Sequence, residues 1–245
     1  MLPGWSSVTN AGHRVDVFDP PNASPRFAVL YLHPVGGESP ADNATFTAAF
    51  AKHGLAVCAP HGARSWWADR ICPEFDANLT AERHLLDNVV PWMRSRWTLS
   101  DRAIAAAGVS MGGQGAVRLG FKYADRFRVV ASIAGAFDYH EWHGRETPID
   151  DMYPTRERCR IDTAILHVHP MNVPPHIWFV CDPEDGEWYR GNDRLHEKLT
   201  AYGILHIADL ETSHGGHCWR YFDAMAEPMI AWIATSLATE QRRLM

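Results

Sequence analysis

Short apolar runs alternate with longer amphipathic segments along the whole chain, and this alternation limits the folds open to it. Gly, Pro, Asn or Asp stands at each boundary, as expected where strands and helices end. The apolar runs are continuous, so their strands should be covered on both faces. We therefore expect an α/β fold, a three-layer sandwich with a mostly parallel central sheet and helices on both faces.

The pattern places each element within narrow limits. Strands are predicted at residues 26–32, 55–59, 103–109, 129–134, 176–181 and 205–210, with an antiparallel edge strand at 15–18 before them. Helices are predicted at residues 43–53, 80–97, 112–123, 190–202 and 219–242. Pro91 is expected to kink or split the second helix, because proline removes a helical hydrogen bond.

One segment interrupts this regular order. Residues 137–175 are rich in His, Pro, Gly and aromatic residues and show no clean period. Such insertions between sheet elements are usually lids or pocket walls, and a surface excursion with a short packed helix is the alternative. Within it, residues 163–168 fit either a short strand or a helix. Without a repeat or a low-complexity linker, one domain over residues 1–245 is expected.

Composition excludes several classes of protein. With 23 basic and 29 acidic residues and a net charge of -6, the chain lacks the positive surface that nucleic-acid binding requires. The longest nearly apolar stretch, residues 229–238, is too short for the roughly 20 residues of a membrane span. The five cysteines are scattered without CxxC spacing, which argues against a disulfide framework or a zinc site. The first residues have no secretory pattern, so a cytoplasmic protein is expected. No metal or other cofactor is expected.

A candidate nucleophile stands at the end of the third main strand. Residues 108–112 read GVSMG and lead at once into the next predicted helix. A GxSxG string alone is weak evidence, since about one chain of this size in ten contains it by chance. The strand-to-helix context is specific, because glycines beside the serine allow the tight turn that exposes its hydroxyl. We expect Ser110 as nucleophile and the Met111 N–H as one donor to the developing oxyanion.

A serine nucleophile needs a base and an acid, and in this architecture they follow it in the order acid, then histidine. The loop before the last helix offers His214 and His217, and the glycines between them favour His217. Among the carboxylates of residues 182–187, Asp182 at the strand end and Asp185 in the turn remain open. Zinc binding by His214 with His217, or by a second histidine pair at 167 and 169, lacks a third ligand.

The loop after the first main strand, HPVGGE, is positioned to supply the second oxyanion donor. Pro34 has no N–H, so Val35 or Gly36 must donate, and the glycines allow close approach of substrate. His33 and Glu38 either line the site or brace the loop. Aromatic rings suit acyl chains, phenolic acids and sugars alike, although core or lid packing is the alternative. The candidate substrate contacts are Gly36, Trp66, Trp67 and Trp142, with Trp178 also considered.

These motifs resemble the esterase D-like branch of the α/β-hydrolase superfamily, which includes S-formylglutathione hydrolases, feruloyl and acetylxylan esterases, tributyrin-type esterases and mycolyltransferases. GVSMGGQGA is similar to its GxSMGGxGA motif. The resemblance implies the α/β-hydrolase fold. CDPED with NDRLHEKL resembles its acid turn and following helix, which implies Asp185 as the acid. GGHCW resembles its GGHxW turn and implies His217, and HPVGG resembles its HGxxG loop and implies Val35 as donor.

The chain departs from this family in two places. Asp182 and Pro183 replace a Gly-Thr pair, so Asp182 stays an alternative acid. Residues 65–70 and 137–175 match no substrate-defining motif.

The expected function is a two-step serine hydrolase, a carboxylesterase that cleaves small or medium acyl, aryl or sugar esters through an acyl-enzyme on Ser110. Its partner is a small-molecule ester, with no nucleic acid and no membrane span. The alternatives are an acyltransferase with the same triad, a peptidase of the same fold, and a hydrolase-fold binding protein without catalysis.

Overall fold

Eight strands form one sheet in the order β1-β2-β4-β3-β5-β6-β7-β8 in the computed structural model, which describes residues 1–21 and 24–243. The pairs β1 with β2 and β2 with β4 are antiparallel, and all the others are parallel. The predicted mostly parallel sheet is thereby confirmed. The strands are β1 Trp5–Asn10, β2 His13–Phe18, β3 Ala28–Leu32, β4 Ala56–Pro60, β5 Ile104–Val109, β6 Val129–Ile133, β7 His176–Val180 and β8 Ile207–Asp209.

The antiparallel end of the sheet differs from the prediction. Residues 15–18 are not an edge, because β2 lies between β1 and β4. The true edge strand, β1, has the sequence WSSVTN, and most of its side chains reach solvent. A strand held mainly by backbone pairing to β2 carries no apolar run, so the pattern that found the other strands missed it.

The helices follow the predicted order, with one break. They are α1 Ala44–Lys52, α2 Ala81–Arg83, α3 Val90–Trp97, α4 Met111–Lys122, α5 Pro148–Met152, α6 Arg156–Arg160, α7 Tyr189–Ala201 and α8 Trp219–Arg242. A π-helical segment, His84–Val89, joins α2 to α3. Pro91 lies in the first turn of α3, where proline is tolerated.

The sheet carries a core on each face. On one face, Phe50 of α1 packs with Ile233 of α8; on the other, Met93 of α3, Leu119 of α4 and Leu195 of α7 share a second buried cluster. The result is three layers, helix on sheet on helix, as expected. In the part of the chain that the structure describes, no helix is both long and apolar enough to cross a membrane.

Residues 137–175 fold into short helices rather than a strand or an open loop. They contain α5, α6 and two 3₁₀ turns, and one of these turns, Ala164–His167, decides the open choice at 163–168 in favour of helix. A buried arginine ties the segment to the body. Arg118 of α4 pairs with Glu82 of α2 and, through Nη2, with Oδ1 of Asp162 at 2.5 Å.

Candidate active site

The strand-to-helix turn at Ser110 needs glycine on both sides. Ser110 separates β5 from α4 and has a φ of 55°, a conformation that is strained for a residue with a side chain. A Cβ on Gly112 would lie 1.8 Å from the carbonyl oxygen of Leu32, and one on Gly108 would lie 2.4 Å from the Gly112 carbonyl carbon. The glycines therefore let α4 start directly against β3 and present the serine at the carboxyl end of the sheet.

His217 lies against this serine. Its Nε2 is 3.0 Å from Oγ of Ser110. The loop between β8 and α8 reaches this point through Gly215 and Gly216, whose φ angles are 95° and 83°. The Ser110 side chain is nearly buried, whereas that of His217 is 27% exposed, so the imidazole faces the opening of the site.

Asp185 completes a chain of hydrogen bonds. Its Oδ2 is 2.8 Å from Nδ1 of His217, and its Oδ1 accepts the backbone N–H groups of Glu187 and Trp188 at 3.1 and 2.9 Å. Burial alone would raise the pKa of Asp185, but the bond from His217 and these N–H donors outweigh it and hold the pKa below its usual value. The carboxylate is therefore ionised at neutral pH.

The second candidate acid, Asp182, has different partners. Its side chain is fully buried, Oδ1 accepts the N–H of Glu184 at 2.8 Å, and Oδ2 accepts the N–H of His214 at 2.6 Å. Burial raises its pKa, but these donors bring it below the usual value. Asp182 thus joins the acid loop to the histidine loop, and the structure brings Asp185, not Asp182, to His217.

The backbone N–H groups considered as oxyanion donors are all free. Residues 34–37 form a tight turn, closed by the Gly37 N–H donating to the Pro34 carbonyl at 2.9 Å. Within residues 1–21 and 24–243, the N–H groups of Val35, Gly36 and Met111 have no protein acceptor. The choice of Val35 over Gly36 as the second donor therefore rests on the family resemblance. Gly36 is exposed, and the Glu38 carboxylate covers the position that its Cβ would take.

His33 braces this turn from below. Its Nε2 accepts the Gly62 N–H at 2.9 Å, so Nδ1 carries the proton and donates to the Pro34 carbonyl at 2.7 Å. Burial lowers the pKa of His33 to about 4. This histidine is therefore neutral at pH 7 and acts as a structural donor beside the site.

Three of the predicted tryptophans are buried rather than open to a ligand. Trp66 and Trp67 both have left-handed backbone angles, with φ of 54° and 52°, and almost no exposed surface. The Trp67 ring lies between His33 and the position of Gly115. Trp178 belongs to the core on the α1 and α8 face.

Trp142 is the partly exposed member of an aromatic cluster. Its ring lies 5.5 Å from both Trp66 and Trp188, and its Nε1 donates to Glu187 at 2.7 Å. The Trp66 ring in turn stacks on Tyr139 at 4.9 Å. Trp66 therefore supports a wall whose outer face is formed by Trp142.

One supporting residue, Gln114, is absent from the predicted site. Gln114 is buried one helical turn after Ser110, and its Nε2 donates to the Trp66 carbonyl at 2.8 Å. A polar residue inside the glycine-rich GGQG run could have suggested such a bond. Trp188 had no comparable signal, because its burial depends on packing against Trp66 and Trp142.

The histidine pairs considered for zinc gain no third ligand. His167 instead lies 3.0 Å from Asp162, and His217 faces Asp185 and Ser110. Among the residues that the structure describes, no three His, Cys, Asp or Glu side chains are grouped so that they could hold a metal ion.

The family model described as "Putative esterase" matches residues 6–233. No curated protein sequence matches the chain.

Solved structures share the fold at low sequence identity. An S-formylglutathione hydrolase from Agrobacterium tumefaciens has a TM-score of 0.79 at 16% identity, covering 97% of each chain. The fluorophosphonate-binding serine hydrolase F of Staphylococcus aureus has a TM-score of 0.76 at 17% identity, covering 94% of this chain and 98% of its own. MPT51 of Mycobacterium tuberculosis has a TM-score of 0.72 at 18% identity, covering 95% of this chain and 100% of its own.

The resemblance seen in the motifs is confirmed at the level of the family. Because the family model spans nearly the whole chain and the solved hydrolase structures share its fold, this protein belongs to the esterase family.

Proposed function

We propose that this esterase is a serine carboxylesterase that works through an acyl-enzyme on Ser110. The observation that carries the proposal is the continuous line from Ser110 Oγ to His217 Nε2 at 3.0 Å and from His217 Nδ1 to Asp185 Oδ2 at 2.8 Å. A nucleophile, a base and an orienting carboxylate in hydrogen-bond contact are what acyl transfer from an ester requires.

In the first step, Ser110 Oγ attacks the ester carbonyl carbon while its proton passes to His217 Nε2. Asp185 holds Nδ1–H and stabilises the imidazolium that forms. The carbonyl oxygen becomes an anion and is bound by the Val35 and Met111 N–H groups, each worth about 3 kcal/mol in enzymes of this type. When the intermediate collapses, the ester C–O bond breaks and the alcohol leaves with the proton from His217.

In the second step, water replaces the alcohol. His217 takes a proton from the water as it attacks the acyl carbon, the same two N–H groups bind the oxyanion, and Ser110 leaves with the proton. The products are a carboxylic acid and the free enzyme.

We propose small or medium acyl, aryl or sugar esters as the substrate class. Gly36 is exposed beside the Val35 donor, and Trp142 offers a partly exposed ring. The cytoplasmic location stays a prediction, which the five free thiols support, since a reducing compartment keeps cysteines unpaired.

Replacing the nucleophile tests the proposal. Ser110→Ala should reduce turnover of p-nitrophenyl acetate to background without loss of fold, since the small side chain removes only the attacking oxygen. Initial rates and far-UV circular dichroism check both parts. A fluorophosphonate probe should label the wild-type chain and leave Ser110→Ala unlabelled.

Retained turnover in Ser110→Ala, or labelling of another residue, contradicts the assignment. Product analysis with added alcohols then separates hydrolysis, which yields the acid, from acyl transfer, which yields a new ester.

A further inference from the structure

A crevice of about 370 Å³ lies beside the acid loop, and nothing in the proposed mechanism uses it. One wall follows β7 and includes Gly186, Glu187 and Trp188; the other follows β6 and includes Asp138 and Trp142. This volume is within the range that holds a small-molecule group.

Both walls continue from residues that form the candidate active site. Gly186 is the residue after Asp185, which bonds His217. On the other side, the Ala136 N–H donates to the Ser110 carbonyl at 3.1 Å, and the chain then runs directly to Asp138. The crevice therefore opens at the same end of the sheet as Ser110.

Two arginines in this crevice have no anionic partner. Across the described residues, nearly every arginine side chain makes an ion pair or a hydrogen bond, and those that make neither are Arg102, Arg145, Arg158 and Arg190. Arg145 and Arg190 of this set both line the crevice. Both side chains are exposed and neither is neutralised by a protein carboxylate, so two cations are available to an anionic ligand at this one cavity.

The acidic residues of the crevice have other partners. Asp138 pairs with Arg194 at 3.2 Å, and Glu141 pairs with Arg156 outside the crevice. The Glu187 carboxylate accepts the Trp142 Nε1–H and remains as one negative charge. The two free guanidinium groups therefore outweigh it.

We propose that this crevice is the subsite for an anionic group of the ester, a carboxylate carried on either its acyl or its alcohol part, which Arg145 and Arg190 bind. A guanidinium offers paired N–H donors that match a carboxylate, and Trp142 provides an apolar surface for the connecting carbons. The inference rests on the proposed function and names the substrate class of that same site.

Matched ester pairs test the subsite. The alcohol arm compares 4-acetoxybenzoate with its methyl ester, and the acyl arm compares monomethyl adipate with dimethyl adipate. For each pair, the ratio of kcat/KM for the charged ester to that for the neutral ester is measured in the wild type, in Arg145→Gln/Arg190→Gln, and in the control Arg102→Gln. Arg102 is also unpaired but precedes β5, at the end of the sheet opposite to Ser110.

We expect the ratio to fall about tenfold in the double variant for at least one arm, on the scale of one charge-assisted hydrogen bond, and to stay at the wild-type value in Arg102→Gln. The arm that responds identifies the part of the ester that carries the carboxylate. Raising NaCl to high concentration should lower the wild-type ratio and leave that of the double variant unchanged, because salt screens exposed charges.

If the wild type hydrolyses these esters and the double variant keeps its ratios in both arms, the subsite is wrong and the esterase mechanism stands. If the wild type hydrolyses none of the four esters and no fluorophosphonate labels Ser110, the proposed function itself fails.

Discussion

At the scale of single residues, the two buried carboxylates of the acid loop differ in what they bind. Asp185 bonds the imidazole of His217, whereas Asp182 binds backbone N–H groups of both loops. From the residues alone, either aspartate could be the acid. Charged residues in a turn are usually solvated, so the sequence does not show which carboxylate is buried or what it binds. The family resemblance favoured Asp185, and the departure at Asp182 corresponds to a link between loops.

These roles predict that the two aspartates differ in their effects on kcat and on stability. Asp185→Asn should lower kcat on the order of 10³–10⁴-fold, because an amide no longer fixes the imidazole tautomer or stabilises its charge. Asp182→Asn keeps one acceptor oxygen and should cost about 1–3 kcal/mol in the free energy of unfolding, with a far smaller loss of kcat. Steady-state kinetics and urea denaturation of both variants measure this. A larger loss of kcat in Asp182→Asn would reverse the two roles.

At the scale of elements, the sequence predicted those elements whose shape depends on local rules. The turn from β5 to α4 follows from its glycines, and the predicted and observed bounds nearly coincide. No local sequence rule predicts the π-helical break between α2 and α3. His84 starts the π-helical segment in the core beside His13 and Phe75, a contact between distant parts of the chain.

The turn at Ser110 should not accept a larger residue. Gly112→Ala places its methyl group 1.8 Å from the Leu32 carbonyl oxygen, so we expect a loss of at least about 3 kcal/mol in the free energy of unfolding, in the range of severe overpacking. Gly186→Ala is the matched control, because a Cβ there meets no atom within 4 Å and its φ is not positive. Urea denaturation that gives equal values for the two variants would contradict this account of the turn.

His84 predicts a pH effect on stability. Both of its ring nitrogens are buried and find no hydrogen-bond partner among the residues that the structure describes, and burial lowers its pKa to about 4. Since the unfolded chain binds the proton near pH 6.5, this residue lowers the stability of the fold as pH falls from about 6.5 to 4, by up to about 1.4 kcal/mol per pH unit.

His84→Leu removes this titration and an unsatisfied polar ring, so it should stabilise the protein, and more at pH 5 than at pH 8. Thermal or urea unfolding at the two pH values measures the difference between variant and wild type. A difference that does not grow at pH 5 would show that this side chain does not titrate as described. His169→Leu is the control, since His169 is exposed to solvent.

At the scale of the whole molecule, a buried ionic network holds residues 137–175 on the helix that follows Ser110. Arg118 joins α4 to Glu82 and to Asp162, and Tyr153 donates to the same aspartate at 2.8 Å. The sequence marked this segment as irregular and gave no fold for it, because its helices depend on bonds to α2 and α4. The pocket wall stays a prediction, which the position of Trp142 in the lining of the crevice supports.

Loss of the central arginine should loosen this attachment. Arg118→Met leaves buried carboxylates without their main partner, so we expect a cost of about 3–5 kcal/mol in the free energy of unfolding. Arg158→Gln, an unpaired arginine on α6, should stay within about 0.5 kcal/mol of the wild type. Limited proteolysis should cut residues 137–175 faster in Arg118→Met than in Arg158→Gln. Equal cleavage rates in the two variants would show that the network does not hold this segment.

The neutral ring of His33 also sets the direction of the peptide group between Pro34 and Val35. A trans peptide is planar, so the Pro34 carbonyl and the Val35 N–H point in opposite directions within that plane. The His33 Nδ1–H and the Gly37 N–H both donate to that carbonyl oxygen. Rotating the peptide would break both bonds and turn a carbonyl dipole toward the anion formed on the substrate. The imidazole therefore prevents a peptide flip, and the Val35 dipole is aligned before any ester arrives.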